Sequence, residues 1–301
     1  MKSLWRSVLT ISLAVFVLPH IASATRITPD DFDGKSMEFS GSGWKLTKYV
    51  KMDPESGIEC CFARFEAGGK VIHDFRCGPV REGVNGPFDW TRVYEFKTPD
   101  KLPDLIAVEW YEGGAHSATM LRVIKLADDF PVIFDNNGSS FGYFDDLDND
   151  GMPEIVADSF AFDYFYESAI FFGHAGSAIG TIVATYSKHW NRYMWANELF
   201  PDVLRTRVNE SKEEFQKLWP DGKQIPVNIA TDQHSKTADA YRALVRWAVH
   251  TAYAEGEKSA AAIIDQYADP NLAVFTKHAF RLTLQHDQNY SNMLGNRVKR
   301  E

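Results

Sequence analysis

Residues 146–154 of this 301-residue chain read Asp-Leu-Asp-Asn-Asp-Gly-Met-Pro-Glu. The predicted fold of the N-terminal part and the predicted function both depend on this stretch. The carboxylates fall at loop positions 1, 3, 5 and 9, as Asp146, Asp148, Asp150 and Glu154. A calcium ion binds about six to eight oxygen atoms, and alternate carboxylates on a tightly turned loop supply several of them. Gly151 at position 6 permits the sharp turn, and Met152 at position 7 offers its backbone carbonyl. The stretch therefore predicts a Ca²⁺ site.

The segments on either side of this loop distinguish it from an EF-hand. An EF-hand requires a glutamate at position 12, where this chain has Ala157, and a helix on each side. Residues 140–144 and 155–157 are instead short and apolar, which is typical of strands. A strand–loop–strand site with ligands at positions 1, 3, 5, 7 and 9 resembles the FG-GAP/VCBS repeat, over roughly residues 98–175. The resemblance implies a calcium-stabilised β repeat, as in integrin-type propellers and many secreted bacterial proteins, but no particular activity.

A partial second copy of the motif precedes the loop, because residues 100–107 align with residues 150–157 at an offset of 50. The matches are Asp100 with Asp150, Pro103 with Pro153, and Asp104 with Glu154. Thr98 stands where Asp148 does, so we interpret the copy as a degenerate repeat that lost its metal. A period of about 50 residues is typical of propeller blades, but two copies are too few to close a propeller. The sequence therefore predicts an all-β domain over residues 25–195, with propeller-like or sandwich-like repeats.

The hydrophobic pattern changes from strand-like to helical near residue 190. Residues 211–214, Ser-Lys-Glu-Glu, form a capping box that predicts the start of a helix, and residues 237–255 and 259–268 predict two more. A further helix is predicted to begin at Asp269-Pro270 and to pack through a stripe of apolar residues, namely Leu272, Phe275, Ala279 and Leu282. Residues 200–301 are thus expected to form a helical domain or a cap, which makes the predicted fold class α+β.

The first 24 residues have the features of a signal peptide. Lys2 and Arg6 give a positive start, residues 8–18 are apolar, and residues 22–24 form an Ala-Ser-Ala cleavage site. We therefore expect an exported protein, periplasmic or secreted, with no membrane span after removal of this segment.

The charge of the chain is acidic and unevenly distributed. The net charge is −9, and removing the two positive charges of the signal segment makes it −11. No Lys or Arg lies between Lys125 and Lys188, whereas that interval holds eleven Asp or Glu residues. The acidic charge argues against a nucleic-acid or anionic-membrane partner, which would require a basic surface, and the uneven distribution supports cation binding.

The three cysteines, Cys60, Cys61 and Cys77, allow one disulfide with one thiol left over in an oxidising compartment. Residues 58–77 read as two strands joined by the turn signal Gly68-Gly69. If Ala67 pairs with Lys70, a regular register places Cys60 opposite Cys77. The predicted disulfide is therefore Cys60–Cys77, although a register shift of one residue would select Cys61 instead.

The sequence favours a non-catalytic calcium-binding protein in which one Ca²⁺ stabilises the β domain. Such an interaction or binding module would have another exported protein or a surface glycan as its partner. The alternative is a secreted metal-dependent hydrolase, for which His116 or His174 would be the candidate base. The chain contains no His-Glu-x-x-His motif, nucleophile elbow or phosphate-binding glycine loop to support that alternative.

Overall fold

A computed structural model describes residues 24–32, 36–80, 91–99, 102–111, 119–136, 139–163, 165, 178–226 and 236–295. The predicted signal peptide lies outside these residues except for Ala24, which begins the first strand and pairs with Phe96. No helix in the described part of the chain is long and apolar enough to span a membrane.

Fourteen strands fill the N-terminal part of the described chain. They are β1 Ala24–Ile27, β2 Asp31–Phe32, β3 Ser36–Gly41, β4 Trp44–Met52, β5 Glu59–Ala67, β6 Lys70–Pro79, β7 Arg92–Phe96, β8 Leu105–Tyr111, β9 Thr119–Lys125, β10 Val132–Asp135, β11 Ser139–Asp145, β12 Glu154–Ser159, β13 Gly180–Ser187 and β14 Arg192–Trp195. They form three antiparallel sheets, in the orders β2-β3-β4-β5-β6 (first sheet), β1-β7-β8-β9-β10 (second sheet) and β11-β12-β13-β14 (third sheet). Consecutive strands are neighbours in each sheet, apart from β1 and β7, which come from distant parts of the chain.

The second sheet is buried on both faces, because its strands contribute alternate side chains to two different cores. The core shared with the first sheet includes Val93, Ile106, Val108, Trp110 and Ile124 from the second sheet. The core shared with the third sheet includes Phe96, Leu105, Ala107, Leu121 and Val123. The three sheets therefore pack against one another in chain order.

Five helices follow the strands: α1 Pro201–Leu218, α2 Lys236–Glu255, α3 Glu257–Tyr267, α4 Pro270–His286 and α5 Gln288–Gly295. They share the larger core with the second and third sheets. Tyr253 of α2 lies so close to Gly180 of β13 that a Cβ on the glycine would be 2.2 Å from its ring. This combination of antiparallel sheets and C-terminal helices confirms the α+β class at the level of its elements.

Two predictions about the helices are wrong. Ser211 does not cap a helix, because α1 begins ten residues earlier at Pro201, and the Ser211 hydroxyl donates to the Arg207 carbonyl at 2.9 Å. The predicted stripe of α4 does not face the core throughout, since Phe275 is 67% exposed and Leu282 is 42% exposed. The buried residues of α4 are Ala273, Thr276, Phe280 and Leu284. This second stripe has nearly the same spacing and includes Phe280, whose ring lies 4.7 Å from that of Phe162.

The hairpin of β5 and β6 turns at Gly68-Gly69 as predicted, but its register differs from the expected one. Ala67 pairs with Lys70, and two irregularities then shift the pairing until Cys61 pairs with Gly78 and Cys60 with Pro79. The predicted Cys60–Cys77 pair is therefore wrong in register, because Cys61 and Cys77 face the core while Cys60 points to the other face. All three cysteines are buried free thiols in this structure.

Candidate metal centre

The predicted calcium loop lies between two strands, as expected. Strands β11 and β12 pair from Ser139↔Ser159 to Asp145↔Glu154, and residues 146–153 form the connecting loop. The loop turns sharply at two residues with positive φ, Asn149 at 61° and Gly151 at 85°. Glycine adopts this conformation freely, and asparagine tolerates it better than most residues, so the local sequence fits the turn.

The side chains of the loop are held by its own backbone N–H groups. The amide of Gly151 donates to Asp146 Oδ2 at 3.0 Å, and the amide of Asp150 donates to Asp148 Oδ1 at 3.2 Å. Across the loop, the amide of Leu147 donates to Glu154 Oε2 at 2.8 Å. These bonds fold the loop around its carboxylates.

Three of the five predicted ligands are brought together. Asp146, Asp148 and Glu154 each present an oxygen, and these oxygens all lie within 4.8 Å of one another. Two oxygens bound to one calcium ion at about 2.4 Å lie at most about 4.8 Å apart, so three oxygens within this limit can share one Ca²⁺. Asp150 is not in this group, and its Oδ1 accepts from the Met152 amide at 2.8 Å. The Met152 side chain is buried in the core, and its carbonyl stays a predicted ligand.

Glu154 is the anchor of the site, since its side chain combines a carboxylate with near-complete burial. The residue is 1% exposed, and Thr185 of β13 donates its hydroxyl to Oε1 at 2.8 Å. Burial raises the pKa of Glu154 to about 8, against the lowering effect of the bonds from Thr185 and Leu147. The negative charges of Asp148 and Asp150 raise it further.

Asp146 has one oxygen with a hydrogen-bond partner and one without. Its Oδ2 accepts from Gly151, whereas its Oδ1 is buried and has no hydrogen-bond partner. Burial raises the pKa of Asp146, and the charges of Asp150 and Asp148 add to the effect. A buried carboxylate oxygen without a donor is costly unless a proton or a cation neutralises it.

The segment predicted to be a degenerate repeat lies between β7 and β8, which are separated by eight residues, as are β11 and β12; the structure describes residues 97–99 and 102–104 of it. Asp104 Oδ1 accepts from the Thr98 amide at 3.3 Å, much as Glu154 accepts from Leu147. Here a lysine supplies the positive charge, because Lys97 Nζ lies 2.7 Å from Asp104 and 2.6 Å from Glu95. Among residues 97–99 and 102–104, no group of three metal-binding side chains comes together.

The candidates for hydrolytic chemistry, His116 and His174, both lie outside the described residues. Within the described chain, the acidic group contains no histidine or cysteine. Thr185 is a site residue that sequence reasoning did not find, since it comes from β13, 31 residues after Glu154, and carries no local motif.

Comparison with known proteins adds no family to this picture. No family model matches the chain, and neither does any curated protein or any solved structure.

Proposed function

We propose that this chain is an exported, non-catalytic calcium-binding protein in which one Ca²⁺ stabilises the third sheet. Asp146, Asp148 and Glu154 supply side-chain ligands, and Asp150 and the Met152 carbonyl complete the site once the loop closes on the ion. The ion holds the end of β11 to the start of β12, because Asp146 directly follows β11 and Glu154 opens β12.

The observation that carries this proposal is the Oδ1 atom of Asp146. It is buried without a hydrogen-bond partner, and it belongs to a residue grouped with two further carboxylates. Acids clustered in this way destabilise a protein unless a proton or a cation neutralises some of their charge. The neighbouring repeat supports this view, because there Lys97 provides a positive charge from within the chain.

A calcium titration of the folded chain tests the proposal. Extracellular calcium modules bind at about 10⁻⁴–10⁻³ M, so 10 mM Ca²⁺ is about 10–100 times Kd and adds about 1.4–2.7 kcal/mol to the free energy of unfolding. We therefore expect 10 mM Ca²⁺ to raise the melting temperature by several degrees, and a chelator to reverse the rise.

The matched variants are Asp148→Ala and Asp104→Ala. Both residues accept a backbone N–H within a loop of the same length, but only Asp148 belongs to the acidic group. Asp148→Ala should abolish the response to Ca²⁺, and Asp104→Ala should leave it intact. An unchanged melting temperature of the unsubstituted chain in Ca²⁺ and in chelator would refute the proposal.

We further propose that the chain acts as an interaction module, with another exported protein or a surface glycan as the partner. Under this proposal the ion orders a loop at the end of the third sheet, and binding of the partner depends on that order. Binding to immobilised glycans or exported proteins should then be lost in chelator and in Asp148→Ala, while Asp104→Ala should bind normally.

A further inference from the structure

The bulge between β5 and β6 brings two thiols together. Phe62 pairs with Arg76 and Cys61 pairs with Gly78, so Cys77 is an extra residue on β6. In such a bulge the two residues of the longer strand face one residue of its partner. Gly78, with a φ of 140°, provides the backbone freedom that the bulge needs. Cys77 therefore lies beside Cys61, close enough for the two thiols to interact, and the Cys61 thiol also donates to the Phe62 carbonyl at 3.9 Å.

A buried cation lies near both sulfur atoms. Lys48 of β4 is only 2% exposed and points into the same core as Cys61 and Cys77, where its Nζ donates to Thr91 Oγ1 at 2.5 Å. Its positive charge favours the thiolate forms of both cysteines. A positive charge beside a thiol favours its ionised form, which is the nucleophile in disulfide exchange.

We propose that Cys61 and Cys77 form an intramolecular disulfide by exchange with a disulfide oxidant, and that Cys60 stays a thiol. The Cys61 thiolate attacks one sulfur of the oxidant and forms a mixed disulfide, and the released thiolate takes up a proton. Cys77 then loses its proton and attacks the Cys61 sulfur, which releases the second thiol. Two thiols are oxidised and one oxidant S–S bond is reduced, so electrons and protons balance.

The surroundings assign the two roles. The hydrogen bond from Cys77 lowers the pKa of the Cys61 thiol, and the charge of Lys48 lowers it further, while burial opposes both. The hydrogen bond with Cys61 and burial raise the pKa of Cys77. We therefore take Cys61 as the attacking thiol and Cys77 as the resolving one, whereas the crosslink itself follows from the position of the two residues in the bulge. Cys60 points to the opposite face, where the Arg76 guanidinium donates to its sulfur at 3.1 Å.

Counting free thiols in three single variants tests the assignment. The reduced full chain and its Cys60→Ser, Cys61→Ser and Cys77→Ser variants are incubated with glutathione disulfide. They are then labelled with maleimide in denaturant and weighed by mass spectrometry. We expect one label on the unsubstituted chain and none on Cys60→Ser. Cys61→Ser and Cys77→Ser should show two labels or glutathione adducts, without an internal crosslink.

Two further measurements separate this chemistry from a folding defect. Oxidation of Cys60→Ser should raise its melting temperature by several degrees, and reductant should reverse the change. Lys48→Met should slow crosslinking several-fold at neutral pH, and the difference should shrink at alkaline pH, where the thiols ionise unaided. A crosslink that forms in Cys61→Ser but not in Cys60→Ser would overturn the proposal, as would three persistent thiols in the unsubstituted chain.

Discussion

Gly151 lies directly against Pro99, so that a Cβ atom on the glycine would be 2.5 Å from Cγ of the proline. Pro99 belongs to the loop between β7 and β8, and Gly151 to the loop between β11 and β12. The contact therefore joins the predicted degenerate repeat to the proposed calcium loop. It couples the second sheet to the third at the end where the ion is expected.

Gly151→Ala should destabilise the protein for two reasons. The φ of 85° costs a residue with a Cβ about 1 kcal/mol, and the contact with Pro99 adds about 1–3 kcal/mol of overpacking. We expect a loss of about 2–4 kcal/mol in the free energy of unfolding by urea denaturation, together with weaker Ca²⁺ binding.

A second glycine provides the control for this prediction. Gly222 has a φ of 63°, but a Cβ there would meet nothing within 4 Å. Gly222→Ala should therefore show only the backbone cost. Pro99→Ala combined with Gly151→Ala should recover much of the difference between the two variants, and equal losses in both glycine variants would contradict the role of Pro99.

Calcium binding should release a proton. Because burial raises the pKa of Glu154 to about 8, this carboxyl is largely protonated near pH 7 without the ion. A divalent cation binds the ionised form, so we expect close to one proton released per ion near pH 7 and close to none near pH 10. Calorimetric titrations in buffers of different ionisation enthalpy measure this number, and Glu154→Gln should remove the release together with the tight binding.

The raised pKa of Glu154 also predicts how the stability of the protein depends on pH in the absence of calcium. The pKa of Glu154 is higher in the folded state than its ordinary value of 4.5, so the folded state binds more protons between about pH 4.5 and 8. The contribution of Glu154 to stability therefore falls as the pH rises through this window. Between pH 5.5 and pH 8.5, the melting temperature should fall by more in chelator than in Ca²⁺. Equal falls would contradict the raised pKa of Glu154.

The hydroxyl of Thr185 should matter for calcium affinity although it is not a predicted ligand. It donates to Glu154 at 2.8 Å and orients that carboxylate. Removing a group that orients a ligand typically weakens metal binding by about 10–100-fold. Thr185→Val should therefore weaken Ca²⁺ binding by about tenfold in a calorimetric titration. Thr206→Val is the control, because its exposed hydroxyl donates only to the Asp202 carbonyl within α1.

Structural features that depend on residues close together in the sequence could be predicted. The acidic loop and the strands on either side of it are of this kind. The alternating acids, the glycine and the apolar flanks of residues 146–154 are local, and the structure places that loop between two strands. The turn at Gly68-Gly69 and the start of α4 at Asp269-Pro270 are local in the same sense. In each case a short-range conformational preference agrees with the fold.

Features set by contacts between distant residues could not be predicted. The bulges in β6 shift the partner of Cys61, and no single residue in the sequence marks them. On α4, two apolar stripes have similar spacing, and only the packing of Phe280 against Phe162 and the hydrogen bond of Thr276 to Tyr241 select the buried one. Thr185 reaches Glu154 only because β13 pairs with β12.

Asp287 should be among the most sensitive positions for stability, since it joins three separate elements. It is 6% exposed and lies between α4 and α5, where its Oδ1 accepts from the Asn289 amide at 2.8 Å. Its Oδ2 accepts from the hydroxyls of Ser159, at the end of β12, and Tyr253 of α2. Burial raises the pKa of Tyr253, so its hydroxyl keeps the proton that it donates.

Asp287→Ala leaves these three donors without their acceptor inside the core. Hydrogen bonds to charged groups contribute about 1.5–3 kcal/mol each, and their loss is only partly relieved by rearrangement. We therefore expect a loss of at least about 3 kcal/mol in the free energy of unfolding. Asp202→Ala is the control, because its side chain is 89% exposed and its ion pair with Arg205 should contribute less than about 1 kcal/mol. Similar urea midpoints for the two variants would show that Asp287 does not hold the helices to the third sheet.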